Sequence, residues 1–316
     1  MTLPSALAAA CPEGRLRADV ALAGATTFRV GGSADWFVDA TTTADLVAAV
    51  RAASEDGLAV TVLGGGSNVL VADAGVRGLV VRPRMTQIVR EADARVRADA
   101  GVTINGLVRW TLLKGLGGLE AWAGTPGTVG GAICGNAHYG GRLVGESVVS
   151  ARLLPLDGSV VDVPAEEMAF GYDVSRLQTS GEIVLSAVFR VLPGQDPAQL
   201  RERARQSLLH RKRTQPLHQP SAGCVFQNPD PSRDHLPPGM PWSAGALIDR
   251  AGLKGRRFGG ASVSTVHANF IVNDRGATAN DVSELIELCR REVRARFGVE
   301  LREEIVRLGD FPPMRV

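Results

Sequence analysis

The chain has 316 residues, of which 45% are hydrophobic and 22% charged, and its formal net charge is +2. That length gives room for two or three domains with a sizeable core. Near-neutrality argues against a protein held to nucleic acid mainly by phosphate contacts, and an aromatic content of 5% argues against a base-stacking platform.

Glycine is the outlier at 37 residues, and much of it is clustered, which means backbone brought close to something. The four cysteines, Cys11, Cys134, Cys224 and Cys289, form no CxxC pair and fit no zinc spacing. So few thiols in so long a chain point to a reducing, cytoplasmic compartment. The start, MTLPSALAAACPEG, lacks the basic residue and the apolar length of a signal peptide and reads as a loose N-terminus.

In chain order, residues 35–40 (DWFVDA) read as a strand. A helix follows, capped at Thr42 or Thr43, with Leu46, Val47 and Val50 on its apolar face and Gly57 as its stop. AVTVLG (59–64) reads as a buried strand ending at a glycine cluster, with short strands near 69–72, 78–82, 87–91 and 94–99. A second helix is expected from Thr103 to Lys114. After a Gly-rich loop, VVSARLLPLDGSVVDVP reads as a hairpin turning at Asp157-Gly158, and EIVLSAVFRV as a long buried strand. LPGQDP (192–197) marks a domain boundary, followed by a basic helix, AQLRERARQSLLHRKR. A Pro-rich loop, a helix near 243–251, strands near 261–273, a helix over 278–297 and the tail ELREEIVRLG complete the chain. The pattern is α+β.

Two glycine loops carry the first chemistry. LGGGSNVL (63–70) follows a strand, and its successive backbone N–H groups can form an anion-binding concavity. It lacks both the GxGxxG fingerprint and the GK[ST] of a P-loop, so a tight structural turn remains the alternative. In AGTPGTVGGAICGNAHYGG (123–141), Thr128 can cap a short helix whose N-terminus would face an anion. Two such loops suggest a ligand with two phosphates, such as a dinucleotide.

Seven motifs occur in order: LGGGSN; GLEAWAGTPGTVGGA; NAHYGG; PSAGCVFQNP; AGLKG; VHANFIVN with ATANDV; and LREEIVRLG. Together, from about Thr27 to Gly309, they resemble the UDP-N-acetylenolpyruvoylglucosamine reductase (MurB) family of bacterial peptidoglycan synthesis. The resemblance implies a vanillyl-alcohol-oxidase-type FAD-binding region over 1–194, in two subdomains of roughly 15–80 and 81–194, and a C-terminal α+β substrate-binding domain over 195–316. It implies FAD as cofactor and NADPH as electron donor. It also implies reduction of the enolpyruvyl ether of UDP-N-acetylglucosamine to a lactyl ether, giving UDP-N-acetylmuramate. The cofactor would lie on Gly64, Gly65, Gly66, Ser67 and Asn68, and on Thr125, Pro126, Gly127, Thr128, Gly130, Gly131, Ala132 and Asn136.

That chemistry needs a group to stabilise charge on the substrate carboxylate and a donor to protonate carbon. Where the family usually places its proton-donating serine, this chain has Cys224. A thiol with an ordinary pKa of about 8.5 is mostly protonated at neutral pH and is a better acid than an alcohol; the alternative is a small core residue. Glu304, in LREEI, matches the family's glutamate; its alternative is a solvated charge. At FGYDVSRL (170–177) the family typically reads Tyr-Arg-x-Ser, with the arginine polarising the carboxylate. Asp173 stands there instead, and Arg176 is the expected replacement cation. Tyr172, Arg213 and Asn228 are the expected substrate contacts. His138, within NAHYGG, is expected to pack or hydrogen-bond, and His267 to support structure. Two alternatives remain: a flavin oxidase on the same scaffold, and an inactive nucleotide-sugar binding homologue. No membrane insertion is expected, and the default state is a monomer.

Overall fold

The computed structural model describes residues 3–11, 14–155 and 157–312. They divide into two compact units. The first comprises residues 1–18, 36–65 and 78–211, and the second 19–35, 66–77 and 212–316. The division differs from a boundary at 194, because the basic helix stays with the first unit as far as Arg211 and two early segments belong with the C-terminal unit.

The elements in chain order are α1 (Ser5–Ala10), β1 (Leu16–Ala21), β2 (Ser33–Ala40), α2 (Thr43–Glu55), β3 (Val60–Val62), β4 (Val69–Val71), β5 (Val76–Pro83), β6 (Ile88–Ala92), β7 (Arg95–Asp99), α3 (Ile104–Leu113), α4 (Val129–Cys134), β8 (His138–Tyr139) and β9 (Arg142–Leu143). There follow β10 (Val148–Leu154), β11 (Val161–Pro164), α5 (Leu177–Ser180), β12 (Ile183–Arg190), α6 (Pro197–Thr214), α7 (Ala244–Arg250), β13 (Arg257–Phe258), β14 (Ala261–Val263), β15 (Ile271–Asn273), α8 (Ala279–Phe297) and β16 (Val306–Leu308).

The helices begin and end where local chemistry says they should. Thr42 and Asp45 form a reciprocal capping box at α2, and Thr278 and Asp281 repeat it at α8, each cap contributing about 1 kcal/mol. Gly298, at φ 70°, turns the chain out of α8 in the left-handed conformation that glycine adopts without steric cost. The N-terminal segment, expected to be loose, is instead the helix α1. Asp56 accepts from the backbone N–H groups of Ala6 and Leu7 at 3.2 and 2.8 Å, and Leu7 is fully buried. An Ala-rich stretch offers no periodicity from which that anchor could be read.

In the first unit a five-stranded sheet runs β11-β10-β12-β7-β6 with antiparallel pairing throughout, and β10 and β11 form the expected hairpin. A four-stranded sheet runs β1-β2-β5-β3, with β3 parallel to β5. The core of this unit gathers residues such as Leu46, Val96, Leu107, Ile133, Leu153 and Phe189.

The second unit has its own core, including Phe28, Leu70, Phe226, Ile248, Ile271 and Ile286. It holds the antiparallel sheet β13-β14-β15 and a two-stranded parallel pair, β16 with β4, in the register Val306–Val69 to Leu308–Val71. Sequence reading placed β16 in an unassigned tail, because three residues flanked by charge carry no alternating pattern. Among the described residues no helix is long and apolar enough to cross a membrane.

Candidate active site

Cys224 lies on an extended segment that is fixed from both sides. On one side Val225 N–H donates to Asn269 O at 2.8 Å, and the Asn269 side chain accepts from Phe226 N–H at 3.0 Å and donates to Phe226 O at 2.7 Å. On the other side Glu304 N–H donates to Val225 O at 2.8 Å and Gln227 N–H to Arg302 O at 2.9 Å, forming an antiparallel bridge of Phe226 with Glu303. The two residues expected to move and stabilise charge, Cys224 and Glu304, are therefore brought to neighbouring segments of one unit. Gly223, at φ 82°, makes the turn that precedes the cysteine.

Ala222, Val225 and Phe226 are 1% exposed or less, whereas Cys224 is half-buried. Cys289 supplies the contrast: it is buried in α8, and burial pushes its thiol up to about 12.

Glu303 is held by Arg290 and Arg307, both at 2.9 Å. Glu304 is half-buried rather than a solvated tail charge.

The loop after β3 is close-packed where its glycines stand. A Cβ on Gly65 would lie 2.7 Å from Gly127 Cα, and one on Gly64 would lie 2.7 Å from Thr128 Oγ1. Gly66 has φ 61° and lies against the Ala25 carbonyl. Among the described residues the backbone N–H groups of residues 64 to 68 donate to no protein acceptor. Five consecutive unengaged donors on a glycine turn suit an anion such as the pyrophosphate of a dinucleotide cofactor. The residues present fit FAD on that ground.

Other expected cofactor contacts are taken up within the protein. Thr128 caps α4 as expected, yet Val129 N–H donates to Val102 O, Gly130 N–H to Ala100 O and Gly131 N–H to Thr128 Oγ1. The α4 terminus therefore has its first three donors engaged, so the expected anion site is not built from them. Asn136 is fully buried, and its side chain donates to Gly171 O and accepts from Gly145 N–H, a structural role. Ala132 is buried and Pro126 exposed, while the Asn68 side chain donates to Glu304 O at 3.1 Å. Ser67 stays half-buried beside Asn68.

Arg176 does not offer the expected free cation. Its guanidinium makes a two-point hydrogen bond with Glu182, at 2.8 and 2.7 Å, and that partner is 8% exposed. The pairing holds the Glu182 carboxyl below its ordinary range. Arg213 is exposed at the end of α6, and Asn228 Oδ1 accepts from Ala244 N–H at the start of α7.

The first unit gathers a cluster that the motifs did not foretell. His138 Nδ1 lies 2.7 Å from Asp173 Oδ1, and Tyr172 OH lies 3.4 Å from His138 Nε2. Arg211, 4% exposed, donates to Thr125 Oγ1 at 2.7 Å and stacks 3.4 Å over the Tyr139 ring. In the second unit Thr27 Oγ1 reaches both Gly66 O and Ser221 O, tying the glycine loop to the Cys224 segment. Thr27, Asn269 and Arg211 were missed because their partners are 39 to 194 residues away.

Residues 215–308 match the family model for the UDP-N-acetylenolpyruvoylglucosamine reductase C-terminal domain, and residues 34–164 match an FAD binding domain. The chain is 39% identical over 310 residues to the UDP-N-acetylenolpyruvoylglucosamine reductase of Synechococcus sp. (strain JA-3-3Ab), covering 98% of this chain and 96% of that protein. Its counterpart in Synechococcus sp. (strain WH7803) is 42% identical over 301 residues, with 94% of each covered. Among solved structures, the MurB reductase from Thermus caldophilus is 33% identical with a TM-score of 0.77, covering 93% of this chain and all of that one.

Proposed function

The chain belongs to the UDP-N-acetylenolpyruvoylglucosamine reductase family, whose FAD-binding and C-terminal domains it carries, and from that premise we propose that it reduces UDP-N-acetylglucosamine enolpyruvate to UDP-N-acetylmuramate with electrons from NADPH. The observation that carries this reading is the antiparallel register of residues 225–227 with 302–304, which puts a half-buried thiol and a half-buried carboxyl on paired segments. A peptide unit bonded on both flanks cannot drift, and positioning of this kind is what proton transfer to carbon requires.

The unengaged donors of residues 64–68 would hold FAD, which when bound would provide hydride chemistry fed by NADPH. The protein's own groups handle the charge and the proton. As the enolpyruvyl double bond is reduced at its terminal carbon, negative charge builds on the adjacent carbon and its carboxylate. Cys224 holds a proton on Sγ and donates it to that carbon, and its thiolate is reprotonated from solvent at neutral pH. Glu304, as the neutral carboxylic acid, donates a hydrogen bond to the developing enolate. Tyr172, 43% exposed, and the exposed Arg213 and Asn228 are proposed to contact the nucleotide sugar.

The test is an anaerobic visible spectrum of the purified protein. NADPH is expected to bleach a flavin band, and the enolpyruvyl substrate to restore it with release of UDP-N-acetylmuramate. A flavin that bleaches and recovers only with oxygen would instead make the protein an oxidase.

A further inference from the structure

Two helices of the first unit line a groove. On α3 the residues Asn105, Val108, Arg109, Leu112 and Leu113 fall at i, i+3, i+4, i+7 and i+8, the spacing of one helix face. On α6 Arg201, Ala204 and Leu208 form a second, shorter stripe. With Ala123 and Gly124 they enclose about 410 Å³, a volume within the range of about 300–1,000 Å³ that takes small molecules. The lining is mainly apolar, and the Asn105 amide is engaged within the protein: it donates to Thr125 O at 3.1 Å and accepts from Gly124 N–H at 2.7 Å. Gly124 packs against Leu208, where a Cβ would lie 2.8 Å from the leucine Cδ1.

Each stripe carries one arginine, and neither arginine has an answering charge. Arg109 and Arg201 are exposed, and among the described residues neither makes a hydrogen bond, an ion pair or a ring contact. Their neighbours on α6 are matched: Arg203 pairs with Glu120 at 2.9 Å and Arg205 with Glu202 at 2.8 Å. Two like charges on the lining of one apolar groove repel, and an anion bound by both removes that repulsion. Leu113 adds an apolar side chain left 65% exposed beside them. An occupant complementary to this lining has an apolar body and an anionic end.

We propose that the groove between α3 and α6 binds one molecule of an amphipathic anion, an alkyl chain ending in a phosphate monoester. The chain lies along Val108, Leu112, Leu113 and Leu208, and the head group meets Arg109 and Arg201. A phosphate monoester carries about −1.5 to −2 charges at neutral pH, which answers two guanidiniums, and its oxygens suit their paired N–H groups. The site lies wholly within the first unit and is independent of the reaction proposed above. Asn105 links it to the loop at Gly124 and Thr125, so occupancy should be felt at the Gly124 amide.

The test is calorimetry on the full chain with dodecyl phosphate held below its micelle concentration. One molecule is expected to bind per chain, with dodecanol and inorganic phosphate each at least about tenfold weaker. Arg109→Gln and Arg201→Gln are each expected to weaken binding about tenfold or more, and Leu113→Asp, which places a negative charge beside the chain, to weaken it similarly. All three positions are exposed on helices, and circular dichroism verifies the fold. An amide NMR spectrum should show the Gly124 resonance shifting with dodecyl phosphate in wild type and not in the double variant Arg109→Gln, Arg201→Gln. Absence of binding, or equal affinity in wild type and the double variant, overturns the proposal. So does inorganic phosphate binding as tightly as dodecyl phosphate, which would reduce the site to a surface anion contact. Uptake of many molecules per chain, or binding only to vesicles of anionic lipid, also overturns it, the latter in favour of a membrane surface.

Discussion

The side-chain amide of Asn68 donates a 3.1 Å hydrogen bond to the backbone carbonyl of Glu304, 236 residues further along the chain. Val306 N–H returns a bond to Asn68 O at 2.9 Å, so one residue of the glycine loop is stitched twice to the segment carrying the expected acid. Asn68→Ala removes the first bond and leaves a half-buried carbonyl short of a donor. It is expected to cost about 1–2 kcal/mol of stability and to lower turnover by relaxing Glu304. Thermal unfolding and kcat, measured together, check this; unchanged kcat would mean that the Glu304 position does not depend on the tie.

Cys224 should be replaceable by serine and not by alanine. Cys224→Ala removes the proton donor and is expected to lower kcat by 10²–10⁴, the usual worth of a positioned acid, whereas Cys224→Ser stays within about tenfold of wild type. Iodoacetamide should label Cys224 in the native protein and spare Cys289, whose thiol burial has pushed up to about 12. Peptide mass spectrometry reads both outcomes.

Arg176→Ala should affect stability rather than chemistry. The Arg176 hydrogen bond holds the Glu182 carboxyl below its ordinary range, so the pair contributes stability above the unfolded-state value of about 4.3, and that contribution is lost as pH falls through the lowered folded value. The variant is expected to be about 1 kcal/mol less stable at neutral pH, to approach wild type in acid, and to keep its kcat. Denaturant titrations at several pH values, beside steady-state kinetics, check this; a collapse of kcat would return Arg176 to the site.

His267 gives the opposite kind of group. Burial pushes its imidazole below the ordinary value, and its Nδ1 accepts from Asn269 N–H at 3.2 Å, which the doubly protonated ring cannot do. Its folded-state pKa is depressed, so the unfolded chain binds the proton more readily, and stability falls as pH drops from about 6.5 towards the lower folded value. Asn269 holds the Cys224 segment, so acid should loosen that segment first, seen as faster amide exchange at Val225 and Phe226. His267→Gln is expected to flatten the dependence of stability on pH below about 6.5.

Much of the fold was readable because its signals are local. Thr42, Thr103 and Thr278 announced their helices, and Asp157-Gly158 its hairpin, from a few adjacent residues. Cys224 and Glu304 were readable as candidates from motif order, but their juxtaposition was not, since it depends on backbone bonds between segments about 80 residues apart. Arg176 misled because helical spacing places it near Asp173 in sequence, whereas Glu182, six residues on, takes its guanidinium. His138 was noticed without its partner, because nothing in NAHYGG reveals that a turn 35 residues later returns a carboxylate to its ring.

The parallel pairing of β16 with β4 has a consequence for synthesis. Residues 69–71 are made long before 306–308, their strand partner among the described residues. Until 306–308 follow, β4 is an open edge on a nascent chain, the kind of surface that invites mispairing. A chain cut before residue 306 would leave the glycine loop without the Asn68–Val306 bond and β4 without that partner. Synthesis of β16 is thus also the step that closes this pair, and a ribosome stalled before it should yield an aggregating chain rather than a slightly weakened enzyme.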